Sequence, residues 1–192
     1  MSGEEKKRMK SVVCAGIVTL LLAGCAKANL VNSNSIIEDN IEYYMQTDNA
    51  VYNLGEEVQM LYRVTNRGDE EVYFEFPTNK QYHFRVSLID GTHIWQMDTD
   101  AADVVTYFTL QPDESKEFNE IWGQVNDNGT RGGTDDYPVE LGNYQVIGEF
   151  YIPITDHYVP VSVSIQIIPE PASLLLLGMG LLGLLFHSRK ER

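Results

Sequence analysis

The chain has 192 residues, with 14 Lys and Arg against 28 Asp and Glu and a formal charge of −14. Residues 26–168 are more acidic still, holding 7 basic against 24 acidic side chains for a formal charge of −17. Such a field repels nucleic acid and anionic lipid, so no nucleic-acid partner is expected, and it suits solubility or cationic partners.

The first element is a basic and then apolar segment. Lys6, Lys7, Arg8 and Lys10 precede an apolar run over residues 12–23, broken only by Thr19, and small residues follow. That is the charged region, apolar region and cleavage zone of a secretory signal peptide. Two processing readings stand. Leu22-Ala23-Gly24-Cys25 resembles a lipobox, which implies lipidation of Cys25 and makes residues 1–25 the leader; Ala26-Lys27-Ala28 is an ordinary A-x-A site. The lipobox is preferred, because small residues alone do not require a cysteine there. Cys14 and Cys25 are the only cysteines, so the rest of the chain has no disulfide and no thiolate metal site. Residues 26–40 are mostly polar and read as a tether.

From residue 41 to 168 the chain reads as strands. Val58, Met60, Tyr62 and Val64 alternate with polar residues, the period of a half-buried strand. Asn66-Arg67-Gly68-Asp69 is a turn, and Val72, Phe74 and Phe76 alternate until Pro77 ends the strand. Tyr82, Phe84, Val86 and Leu88 lead to Asp90-Gly91, a two-residue hairpin signal that sets Val86 opposite Trp95 and Phe84 opposite Met97. Further strands are expected around residues 104–110, 117–125, 144–151 and 159–167. No stretch keeps a helical period. The expected fold is all-β: an immunoglobulin-like antiparallel sandwich of about 7–9 strands, flanked by a signal helix and a C-terminal transmembrane helix. Residues 126–138, with Gly129, Gly132 and Gly133, read as a long loop of the kind that carries recognition.

The C-terminus carries the second membrane signal. Pro169-Glu170-Pro171 precedes fifteen uncharged residues, 172–186, and the basic tail Arg189-Lys190-Glu191-Arg192. As a helix that segment spans roughly 22 Å at about 1.5 Å per residue, shorter than the roughly 20 residues of a stable span. The arrangement over residues 169–192 resembles the PEP-CTERM sorting signal of Gram-negative bacteria. The resemblance implies export, a membrane passage at each end, and an exosortase-type processing protease as partner. Both basic ends are expected on the cytoplasmic side.

The strand region has a likeness of its own. Phe74-Glu75-Phe76, Gln81-Tyr82-His83-Phe84-Arg85-Val86, Trp95, Leu110-Gln111-Pro112-Asp113-Glu114-Ser115, Trp122 and Leu141-Gly142-Asn143-Tyr144 keep the order of motifs found in BsuPI-type proteinase inhibitors. The resemblance implies a β-fold and, as an activity, protease inhibition. The family pattern usually has an acid at His83 and a glycine at Asp113, and residues 126–138 look like an insertion. Most matching residues, Phe74, Phe84, Val86, Trp95 and Trp122 among them, also read simply as core.

Catalytic chemistry has little footing. His83, His93 and His157 sit on separate strands without metal-ligand spacing, and no serine occupies a nucleophile elbow. Asp98, Asp100 and Asp103 begin like an EF-hand loop, yet Asp103 stands where glycine is needed and Thr109 at position twelve. A weak calcium site shared with Asp127 or Asp135 is a candidate there; a solvated loop is the default, and no cofactor is expected. Asn128-Gly129-Thr130 is read as a turn. Asn128, Arg131, Asp135 and Asp136 are the candidate contact residues of the long loop, and Tyr73, Tyr107 and Tyr151 form a candidate aromatic patch. The expected function is an exported envelope binding domain, with protease inhibition through residues 126–138 or binding of an exported polysaccharide as alternatives.

Overall fold

The computed structural model describes residues 31–97, 102–127, 137–153 and 155–170. These are all-β. In chain order the strands are β1 (Asn32–Glu38), β2 (Ile41–Thr47), β3 (Val51–Asn53), β4 (Val58–Asn66), β5 (Val72–Phe76), β6 (Tyr82–Leu88) and β7 (His93–Gln96). They continue with β8 (Thr106–Leu110), β9 (Ser115–Trp122), β10 (Val125–Asn126), β11 (Tyr137–Pro138), β12 (Gly142–Ile152) and β13 (His157–Ile168). One sheet runs β1-β2-β4-β9 and a second β3-β13-β12-β6-β7; β5-β8 and β10-β11 are two-stranded ribbons. Every pairing is antiparallel except β3 with β13.

Period-2 alternation explains the layering. Ile41, Tyr43 and Met45 on β2 and Val58, Met60, Tyr62 and Val64 on β4 turn inward. They meet Phe84, Val86, Tyr144, Val146, Phe150 and the odd-numbered β13 residues from Val159 to Ile167. Ring contacts join the layers: Tyr43 to Phe150 at 6.0 Å, Phe118 to Phe150 at 6.0 Å, and Trp122 to Tyr144 at 5.8 Å. The Tyr62 hydroxyl donates to Val159 O at 2.9 Å, so this buried phenol is satisfied across the layers. Burial of Tyr62 holds its phenol well above the usual range. The β5-β8 ribbon closes one side: Phe74 and Phe76 meet the Phe150 ring edge-on at 5.4 and 5.6 Å, a preferred aromatic arrangement.

The sequence expectations meet this structure unevenly. Residues 32–38, assigned above to a tether, instead form β1. Their polarity misleads because β1 is an edge strand: Asn32 and Asn34 donate side-chain N–H groups to Ser164 O and Ser162 O of β13. Polar side chains thereby close a seam where the outer edge of β13 is not covered by β3. β2 and β3 were not anticipated. The expected two-residue hairpin at Asp90-Gly91 is instead a loop over residues 89–91, closed by Leu88 N donating to Thr92 O, with Gly91 at φ +90°. A bulge then restores the register, so Val86 does face Trp95, and Met97 N donates to Phe84 O at 2.9 Å. The expected signal helix and the apolar segment 172–186 lie outside the described residues. Among the described residues no helix is long and apolar enough to cross a membrane.

The path of the chain gives the domain two unlike poles. At one, Asn32 pairs with Thr47, Gly142 with Ile167, and Leu54 N donates to Ile168 O. The described chain therefore enters and leaves at the same pole. The opposite pole carries the Asp39-Asn40 turn, both residues at positive φ, and the turns after β4 and β8. There the Asn66 side chain donates to Glu70 O and Leu110 O and accepts from Gly68 N. Asp113 adopts φ +62°, a left-handed conformation that a non-glycine residue takes at a cost.

The layers approach closely at Gly148. A Cβ there would lie 2.1 Å from Tyr62 Cδ2 and 2.9 Å from Met45 Sδ, and both of those residues are fully buried. Gly148→Ala is expected to cost about 3 kcal/mol or more through overpacking, read as a lowered urea midpoint at unchanged m-value.

Candidate functional site

Two surfaces carry the residues that the sequence singles out. The first is the base of the loop between β10 and β11. Asn128, Arg131, Asp135 and Asp136 lie outside the described residues, but both stems of the loop are held. Val125 and Asn126 pair with Pro138 and Tyr137, and Asn126 Nδ2 donates to the Tyr137 hydroxyl at 2.9 Å. The Trp122 indole donates to Val125 O at 2.9 Å, which turns a core anchor into a loop anchor. Asp127, only 5% exposed, donates its backbone N–H to Ile94 O at 3.0 Å. Its Oδ2 accepts from Gln96 N at 3.0 Å, and Oδ1 lies 3.2 Å from His93 Nε2. One carboxylate thus pins the loop to edge strand β7. Sequence reasoning placed Asp127 only as a helper of a calcium site; the pairing of β10 alongside β7, which gives it this role, leaves no local signal.

The second surface is the outer face of the β5-β8 ribbon. Alternation turns Phe74 and Phe76 inward, so Tyr73 and Glu75 point outward, and Tyr107 faces Glu75 across the ribbon. The rings of Tyr73 and Tyr107 are 6.1 Å apart, and the side chains are 52% and 69% exposed. Tyr73 OH donates to Glu75 Oε2 at 2.9 Å, and this bond raises the Tyr73 phenol above its ordinary value. Beyond the pair, the Gln111 amide donates to Glu71, and Val104 and Val105 are exposed. Of the three tyrosines of the expected patch the fold brings together only two. Tyr151 sits on β12 beside Tyr158 of β13, with ring centroids 5.2 Å apart.

The other candidates divide by position. Phe74, Phe76, Phe84, Val86, Trp122 and Tyr144 are buried core, Tyr82 stacks on Phe118 at 4.3 Å, and Trp95 packs on the core from its edge. Pro112 is exposed in the turn before β9, and Gly142 opens β12. Pro169 and Glu170 directly follow β13, whereas Pro171 and Cys25 lie outside the described residues, as do Asp98 and Asp100. Among the described residues no three His, Cys, Asp or Glu side chains are grouped to hold a metal. His83 is buried on β6, His93 meets Asp127, and His157 Nδ1 meets Thr155 Oγ1 at 2.6 Å. The three do not converge.

Asp127→Ala is expected to destabilise the domain by about 1.5–3 kcal/mol, since bonds to a buried charged group are lost. Faster amide exchange at Gln96 than at Val146 in the variant is the local readout, and equal acceleration at both would place the effect elsewhere.

Comparison with known proteins adds to this geometry. No curated protein sequence matches the chain. Among solved structures it is similar to a β-glucosidase from Erythrobacter marinus at 12% identity and TM-score 0.39, covering 72% of this chain and 16% of that one. It is likewise similar to a β-glucosidase from Listeria innocua at 12% identity and TM-score 0.36, covering 69% and 17%. A third is the sporulation control protein Spo0M from Bacillus subtilis, at 16% identity and TM-score 0.34, covering 73% and 50%. The chain spans about a sixth of the length of the two glycosidases, and likeness at this level says nothing of activity. Residues 168–190 match the PEP-CTERM protein-sorting motif, which implies export to the cell envelope of a Gram-negative bacterium and processing by exosortase-type machinery. Residues 45–151, more than half of the chain, match the intracellular proteinase inhibitor family BsuPI, and the chain belongs to that family.

Proposed function

We propose that this chain is an exported, non-enzymatic binding domain: an immunoglobulin-like β-sandwich displayed at the cell envelope and released or relocated by cleavage near Pro169-Glu170-Pro171. The shared pole of entry and exit carries the reading. With Asn32 and Ile168 at one pole, a passage through the membrane at each end leaves the domain folded as a closed loop, its opposite pole facing outward. Pro169 follows β13 without a spacer. Residues 166 and 167 are paired with both β12 and β3, and Ile168 with Asn53 of β3, so a protease reading an extended substrate must cut beyond Ile168. Lipidation of Cys25 then holds the mature domain, because two or three acyl chains bind firmly where one is marginal.

A second reading, protease inhibition through residues 126–138, is favoured by the pinning of the loop base through Asp127 and Trp122. A held base lowers the ordering cost of binding. An Arg131→Ala change that abolishes inhibition of an exported protease, with stability unchanged, supports it over the first reading.

The test of the first reading is the fate of the two ends in a host with and without an exosortase-type protease. The expected result is a shortened envelope-retained form in the first host only. A Pro169→Ala/Pro171→Ala variant is expected to stay full length in the inner membrane, and Cys25→Ser to be released as soluble protein once the C-terminal segment is cut. Identical mass in both hosts contradicts the sorting reading. Unchanged retention of Cys25→Ser contradicts lipidation and favours cleavage after Ala28. Hydrolase activity abolished by one point substitution contradicts the non-enzymatic reading.

A further inference from the structure

The outer face of the β5-β8 ribbon has a composition that neither packing nor the loop accounts for. Its inner face is committed to the core through Phe74, Phe76 and Phe108 around Phe150. The outer face presents Tyr73 and Tyr107 as exposed, paired rings, and Glu75 lies directly opposite Tyr107. Burial does not require tyrosine there.

Charge decides what suits it. Among the described residues the ion pairs of arginine are Arg63 with Glu117, Arg67 with Glu42 and Asp113, and Arg85 with Glu149. None reaches Glu71 or Glu75. These two carboxylates accept from neutral donors, the Gln111 amide and the Tyr73 hydroxyl, and form no ion pair among the described residues. Two ring faces beside a carboxylate without an ion-pair partner suit a cation: the quadrupole of each ring and the carboxylate attract the same charge. The bond from Tyr73 to Glu75 fixes the ring in advance, so less side-chain entropy is lost when a partner arrives.

Spacing decides its form. Tyr73 and Glu75 on β5, with Glu71 immediately before it, recur every second residue, a repeat of roughly 6.6 Å in extended chain. Alternate side chains of an extended polypeptide have the same repeat. The ribbon starts from the Asn66–Leu110 contact, at the pole away from both termini, and is open to a partner while the chain is still held at the membrane. We propose that this face is a docking surface for an extended polypeptide segment bearing Lys or Arg at alternate positions. The inference rests on the binding-domain reading and names the partner chemistry.

The test uses the full chain in zwitterionic detergent micelles and a fluorescein-labelled peptide of six Lys-Thr repeats, read by anisotropy. A Glu-Thr peptide and a glucosamine hexamer serve as comparison probes. Glu75→Gln and Tyr107→Leu are expected to weaken binding of the Lys-Thr peptide about three- to tenfold each, the scale of a lost ion or cation–π contact. Tyr107→Phe keeps the ring face and is expected to stay within about twofold. Tyr158→Leu and Glu117→Gln, on other surfaces, are expected to change nothing, and all variants should melt as the parent does. Ribbon variants that bind like the parent, or control variants that lose as much, overturn the docking surface while leaving the binding-domain reading intact. Tighter ribbon-dependent binding of the glucosamine hexamer overturns the polypeptide partner in favour of a cationic sugar. Hydrolysis of the peptide overturns the underlying reading and the inference with it.

Discussion

Tyr62 stands where the two sheets press closely together. Its ring fills the space that the missing side chain of Gly148 leaves, and its hydroxyl reaches across to Val159 O. That contact fixes how far apart β4 and β12 lie and how they are aligned. Phe150, two residues along β12 on the same face, is thereby placed to receive Tyr43 and Phe118 from one sheet and the β5-β8 ribbon from the side. Remove the close approach and the ribbon loses its seat, because its inward rings pack on Phe150 rather than on a sheet of their own. The surface features depend on the same spacing: Tyr73 and Tyr107 face outward only because Phe74, Phe76 and Phe108 are held inward.

The same packing suits the proposed delivery by a signal at each terminus. β1 and β13 lie side by side, joined by Asn32 and Asn34 on the carbonyls of β13, so tension on either terminus acts at one pole. Glu42, Arg67 and Asp113 link the turns of the other pole. These exposed ion pairs are worth little individually, and it is Asn66, buried and making side-chain bonds to two carbonyls and one amide, that holds those turns. The Leu110 to Ser115 segment thus falls where a turn is held by buried polar bonds, and Asp113 occupies its left-handed position at a conformational cost of about 1 kcal/mol.

What was legible in the sequence was local. Alternation placed β4, β5 and β6, strands were also expected where β8, β9, β12 and β13 lie, and the Asp90-Gly91 turn gave the facing of Val86 and Trp95 despite a different loop, because a bulge offset the extra loop residue. Ile41, Tyr43 and Met45 alternate as clearly as Val58 to Val64, so β2 was readable and went unread. β1 was not readable: an edge strand satisfied through asparagine side chains has no apolar period. Non-local pairing hid the rest. Tyr73 meets Tyr107 only because β5 pairs with β8, and Tyr151 leaves that group only because the β12-β13 hairpin sets it beside Tyr158. Asp127 reads as one acid among many until β10 is laid along β7.

The orientation of the domain is the claim on which the functional account turns, and paramagnetic broadening tests it directly. With the uncleaved chain held in nanodiscs that contain a headgroup-spin-labelled lipid, the account predicts strong broadening of the amide resonances of Glu57 and Glu140, at the pole of entry and exit. Asp69 and Asp156, at the other pole, are predicted to keep sharp signals. Equal broadening at both poles, or stronger broadening at Asp69 and Asp156, would contradict the account.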